Sequence, residues 1–137
     1  MSSSRFDSFT PDRWNACIDL LARPLGDLDS VQRPAALVFR YYGRVMNGGH
    51  SLHFDYREGE LDDELLEALR SIAPEHSVIF AEVLRRHRSM DQLTEEEQDA
   101  EAEFIETQLD ARFGLLKPGV PERLAEYIDA NADSFPK

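Results

Sequence analysis

The chain has 137 residues, of which 27 are acidic and 15 basic, for a net charge of −12. Such a field repels nucleic-acid phosphates and attracts basic protein surfaces, which argues against direct DNA or RNA binding. With 42% hydrophobic residues the acidity does not mark disorder, and one cysteine leaves no internal disulfide.

Residues 1–9, opening Met1-Ser2-Ser3-Ser4-Arg5, read as a frayed lead-in without the apolar run of a signal peptide. The longest apolar run, Ala35 to Phe39, is too short to span a membrane, so the sequence predicts a cytoplasmic protein with no membrane contact. Thr10-Pro11 supplies a cap and a first-turn proline, and Trp14, Cys17, Ile18 and Leu21 follow at helical spacing, predicting a first helix to about Arg23. A second helix should start near Asp29 or Ser30 and end at Asn47. Phe54 and Tyr56 belong to a short helical or turn segment closed by Gly59, and a third helix covers Asp62 to Ile72. Pro74 opens a fourth. Thr94 and Glu97 have capping-box spacing for a fifth, running to about Phe113 and burying Ala100, Phe104, Ile105 and Leu109. A last helix passes through Leu124, Tyr127 and Ile128 and frays near Phe135. No strand-like alternation competes. The prediction is an all-α fold, a single compact domain of about six helices over residues 10–137.

The segment Tyr41-Tyr42-Gly43-Arg44-Val45-Met46-Asn47-Gly48-Gly49-His50-Ser51-Leu52-His53-Phe54-Asp55 is the most distinctive. Asn tolerates left-handed backbone angles and Gly adopts them freely, so the helix should stop at Asn47 with at least one glycine at positive φ. The pattern of Asn47, Gly48, Gly49 and His50 resembles the Asn-Gly-Gly-His box of a bacterial family that includes DNA-mimic proteins. These are acidic all-helical proteins that occupy the DNA-binding surfaces of other proteins. The resemblance covers roughly Val38 to Phe135. It implies a basic DNA-binding protein as partner, and it does not identify which acids make contact.

The acids are unevenly placed. Up to Arg44 six bases meet five acids, so nearly all the net charge lies beyond. Glu58, Glu60, Asp62, Asp63, Glu64 and Glu67 form one run without a base. Asp91, Glu95, Glu96, Glu97, Asp99, Glu101, Glu103, Glu106 and Asp110 form another. On a helix the second run presents about one charge per 3.6 Å, close to the ~3.4 Å per phosphate along a DNA strand. Like charges at i, i+4 destabilise a helix, and no cation lies within the run to offset them, which favours a use outside the fold. The alternative is a solvating face that keeps the protein soluble. Charge density alone selects Glu95, Glu96, Asp99, Glu103, Glu106 and Asp110 as the partner-binding strip, with Asp62, Asp63 and Glu67 as a second.

His50, His53 and Asp55 carry ligand chemistry, but no further spaced pair supports a metal centre; bonding of His50 to backbone near the glycine turn is the favoured reading. Asn47 is read as capping free backbone groups, and Cys17 as a small buried hydrophobe rather than a nucleophile. Arg85-Arg86-His87-Arg88 either pairs with the acidic helix that follows or docks on a second subunit, which leaves room for a homodimer. Tyr41, Tyr42 and Trp14 read as core and rim. The leading function is therefore an acidic interaction protein, a DNA mimic binding a regulatory or nucleoid protein, with no catalytic residues and no cofactor. Two alternatives stand beside it: an immunity- or antitoxin-like binder of a basic protein, and a metal-dependent enzyme using His50, His53 and Asp55.

Overall fold

The structure is a computed structural model that describes residues 10–136, the side chain of Glu60 excepted. The lead-in over residues 1–9 lies outside the described residues.

Helix α1 spans Pro11–Leu21, with the Thr10 hydroxyl accepting from the Arg13 N–H at 3.1 Å. Helix α2 spans Gln32–Tyr56. Asp29 caps it, accepting from the N–H groups of Val31 and Gln32 at 2.9 and 2.8 Å, while the Gln32 side chain accepts from the Asp29 N–H at 3.1 Å. Helices α3 (Asp62–Ile72) and α4 (Pro74–Arg88) are separated by Ala73 alone. Helix α5 (Glu95–Phe104) runs through a π-helical segment, Ile105–Asp110, into α6 (Ala111–Leu115), and α7 covers Val120–Ala130. Counting α5, the π segment and α6 as one continuous rod gives the expected six helices, with no strand among the described residues.

Helix α2 is the hub, packed against α1, α3, α7 and the π segment. Its inward stripe of Ala35, Ala36, Val38 and Tyr41 is fully buried, and the small residues let neighbouring helices approach closely. Phe80, Leu69, Leu124 and Ile128 complete the centre, each stabilising by about 1.5–3 kcal/mol through burial. Polar ties close the ends: Arg33 to Glu64 between α2 and α3, Arg123 to Glu75 at 2.8 Å between α7 and α4, and the Tyr127 hydroxyl donating to the Val31 carbonyl at 2.6 Å.

The helix that starts at Gln32 stops at Asn47 as expected: Gly48 and Gly49 leave helical angles, and the chain restarts as a short helical segment to Tyr56, followed by a 3-10 turn at Gly59–Leu61. Two expectations need correction. Ala100 is exposed, and no residue of α5 is buried; Phe104 is half-covered beneath the Arg86 guanidinium, 4.1 Å from its ring centre, and inward packing starts at Ile105. Phe135 does not fray. It is buried against Tyr127, because the Ala132–Ser134 turn folds the chain back onto α7 and α1.

Candidate functional site

The break in α2 sits at two glycines with different tasks. Gly48 has φ −163°, which needs no glycine, although a β-carbon there would crowd Leu52 at 2.8 Å, whereas Gly49 has φ +72°, the left-handed region that favours glycine. The expected positive-φ glycine is thus Gly49. A β-carbon there would also run into the Asp110 carboxylate. Asp110 needs that space because one of its oxygens accepts from the His50 backbone N–H at 3.2 Å and from the His50 ring Nδ1 at 2.5 Å. A carboxylate over the first free N–H groups of a restarting helix is an N-cap, favoured also by the helix dipole.

Two sequence readings change as a result. Asn47 is exposed and its amide makes no hydrogen bond among the described residues, so it is not the cap. The ring of His50 does not bond backbone; it is fully buried between Asp110 and the Tyr41 hydroxyl, 2.6 Å from Nε2. A carboxylate has no proton to give, so Nδ1 donates, and in the neutral ring Nε2 accepts from Tyr41. Burial and the charge of Asp110 push the Tyr41 phenol well above its ordinary pKa, so it keeps the proton it donates. Both ring nitrogens of His50 are occupied, leaving none to activate a nucleophile such as the nearby Ser51.

Asp110 reaches this position through the π segment. A π turn bonds five residues back instead of four and so shifts the face that follows it. The Thr107 hydroxyl satisfies the Glu103 carbonyl at 2.8 Å inside this stretch. Beyond it Leu109 and Phe113 are buried and Asp110 turns towards α2, while Glu106 stays exposed. On a regular helix Glu106 and Asp110 would share one solvent strip, which is what the sequence suggested.

His53 is buried but differently placed. Neither ring nitrogen has a hydrogen-bond partner, and burial, helped by the positive charges of Arg44 and Arg57, pushes its pKa down to about 3. Asp55 is exposed. The three residues therefore do not converge, and among the described residues no three His, Cys, Asp or Glu side chains come together as a metal-holding group.

A cleft of about 680 Å³ opens beside the break. Val45, Phe54, Met90 and Ile105 give it apolar lining, and Asp55, Glu106 and Asp110 give it acids. His87 stacks on Phe54 at 4.0 Å with nearly parallel rings, and burial lowers its pKa.

The acidic runs divide into working and idle carboxylates. Glu97 closes the capping box with Thr94, and Glu101 binds Arg86 at 2.9 Å. Asp62 is buried and accepts twice from Arg57, at 3.1 and 3.2 Å, so it is an internal partner rather than a surface charge. Asp63 pairs with Arg88 at 3.1 Å and Glu67 with Arg70, both in exposed positions. The basic cluster is thereby absorbed within the chain, Arg85 and Arg86 sharing Glu82 as well. Glu95, Glu96, Asp99, Glu103 and Glu106 remain exposed, with no cation paired to them among the described residues. No sequence signal marked Asp110 as a partner of His50, since neither spacing nor composition couples positions 60 residues apart, and Tyr41, nine residues before His50, lies across the helix break. Tyr41 showed only as a residue of the apolar stripe.

Among the described residues no helix is long and apolar enough to cross a membrane. No curated protein and no solved structure matches the chain. Residues 26–131 match the family model described as DMP19-like protein, and over that span, most of its length, the chain belongs to the DMP19-like family.

Proposed function

We propose that this protein is a DNA mimic whose α5 face occupies the basic DNA-binding surface of a regulatory or nucleoid protein. The family is a DNA-mimic family, which fits the reading. The observation that carries it is the five-acid strip. Glu95, Glu96, Asp99 and Glu103 are exposed and unpaired on α5, which buries nothing over its own length, and Glu106 extends the strip into the π segment. They extend over about 16 Å of helix, so successive charges lie about 4 Å apart, near the ~3.4 Å spacing of phosphates on one strand. Repulsion at i, i+4 makes this strip unfavourable for the isolated protein, and a basic groove would relieve it. The adjoining cleft suits a long basic side chain, with its aliphatic stem on Phe54 and Met90 and its charge among Asp55, Glu106 and Asp110. No catalytic step belongs to this reading.

The test combines capture and competition. A partner retained from native cytosol at low salt should be released at high salt and displaced by duplex DNA, because both compete for the same charges. Replacing Glu95, Glu103 and Glu106 with Gln and Asp99 with Asn should abolish retention while leaving the circular dichroism spectrum unchanged. Asp110 is left intact in this variant because it holds His50. A partner that survives the fourfold change, or that DNA cannot displace, would return the strip to a solvating role.

A further inference from the structure

Away from the acidic strip on α5 the protein holds a basic cavity. Between α2 and α3 a space of about 80 Å³ is lined by Arg40, Arg44, Arg57 and His53, with Glu58 and Asp62 the acids facing it. Arg57 is neutralised by its double contact with Asp62. Arg40 donates to the carbonyls of Leu21 and Arg23, so its position is fixed, but no carboxylate contacts it among the described residues. Arg44, one helical turn further on, makes no hydrogen bond or ion pair among the described residues. Burial and then the charge of Arg44 lower the pKa of Arg40, with the charge of Glu58 acting the other way.

His53 supplies the independent observation. It is 2% exposed, lines this cavity, and has both ring nitrogens unpartnered. Buried polar atoms are nearly always bonded, so the N–H of this neutral ring, beside an unpaired guanidinium, is an unmet demand for an acceptor. Water would supply a bond but no charge. An anion supplies both, accepting from the ring N–H and cancelling the repulsion between Arg40 and Arg44. The space, about 80 Å³, suits a small anion.

We propose that this cavity binds a small oxyanion, of carboxylate or phosphate size, with Arg44 and a ring N–H of His53 as donors and Arg40 supporting the charge. The site is separate from the acidic strip on α5 and does not depend on the DNA-mimic reading.

The experiment follows the histidine ring nitrogens of the full chain by NMR as inorganic phosphate, or in a second arm acetate, replaces chloride at constant ionic strength. Saturable movement of the His53 signals is expected, without matching movement of His50, whose nitrogens are already bonded. Whichever anion saturates at lower concentration identifies the preferred chemistry. Arg44→Gln should weaken binding about tenfold or more, as loss of a charged hydrogen bond does. Arg112→Gln removes the same charge from an exposed position elsewhere and should leave binding unchanged. His53→Phe, followed through the backbone amides of Leu61 and Leu65, should abolish binding and keeps the test open should Arg44→Gln disturb the fold. Absence of saturation with both anions, equal weakening by the two arginine variants, or retained binding in His53→Phe would overturn the proposal.

Discussion

His50 and His53 lie three residues apart on the restarted half of α2, and both are inside the protein. Every polar atom of the first ring is bonded, one nitrogen to Asp110 and the other to Tyr41; neither nitrogen of the second has a partner. The aromatic surroundings do not separate them, since Tyr41 and Phe80 touch both rings. The difference lies in what the neighbouring segments bring. The π segment delivers a carboxylate to His50, whereas the 3-10 turn and the start of α3 bring Leu61 and Leu65 to the cavity that His53 lines, with Asp62 already committed to Arg57. A buried histidine is therefore a strut or a vacancy in hydrogen bonding according to one partner residue, and sequence proximity does not decide which.

Substituting each ring by phenylalanine is the sharpest way to break this comparison. His50→Phe leaves the Tyr41 hydroxyl without its partner and the Asp110 carboxylate with only the backbone N–H of position 50, and should destabilise by about 3 kcal/mol in urea unfolding. A loss below about 1 kcal/mol would show that the network contributes little beyond packing. Gly49→Ala comes next. It forces a β-carbon into the left-handed region and against the Asp110 oxygen, and should cost about 2 kcal/mol, with the His50 ring resonances displaced. If Gly48→Ala proved the more costly of the two, the positive φ would not be the deciding constraint.

His53→Phe should change stability at neutral pH by less than about 1 kcal/mol, because it removes two unsatisfied atoms along with the ring. Its signature is in pH. The folded ring titrates at about 3 against an ordinary 6.5, so between those values the unfolded chain holds a proton that the folded chain lacks. Stability from this group is complete above pH 6.5 and falls as the pH drops towards 3, by up to about 1.4 kcal/mol per unit. The variant should lose that part of the slope. His76 and His87, whose pKa values burial also lowers, keep the remainder. Parallel pH profiles for the two proteins would mean that His53 takes up its proton without opposition from the fold.

Local chemistry made much of the fold legible. The Thr94–Glu97 capping box, the first-turn prolines at Pro11 and Pro74, and the span of α3 from Asp62 to Ile72 all rest on residues within four positions of each other, where spacing determines contact. The same holds for a glycine at positive φ beside Asn47. What spacing could not reveal were long-range assignments. Asp62 and Asp110 look like their neighbours in acidic runs, yet one is buried on Arg57 and the other, half-buried, is held by His50. The π segment has no sequence signature of its own, and without it Asp110 belongs with Glu106. Five of the six acids placed in the α5 strip keep their exposure, and the one that does not is the residue the π turn redirects.

The cap of the restarted half of α2 is encoded 60 residues after the backbone N–H that it serves. During synthesis, residues 50–56 emerge with their first N–H groups open to water and stay so until Asp110 has left the ribosome. A chain made from its N-terminus can assemble α1 and the first half of α2 early. The side-chain cap of the segment from His50 onward is therefore complete only once the rod that carries α5 docks against α2.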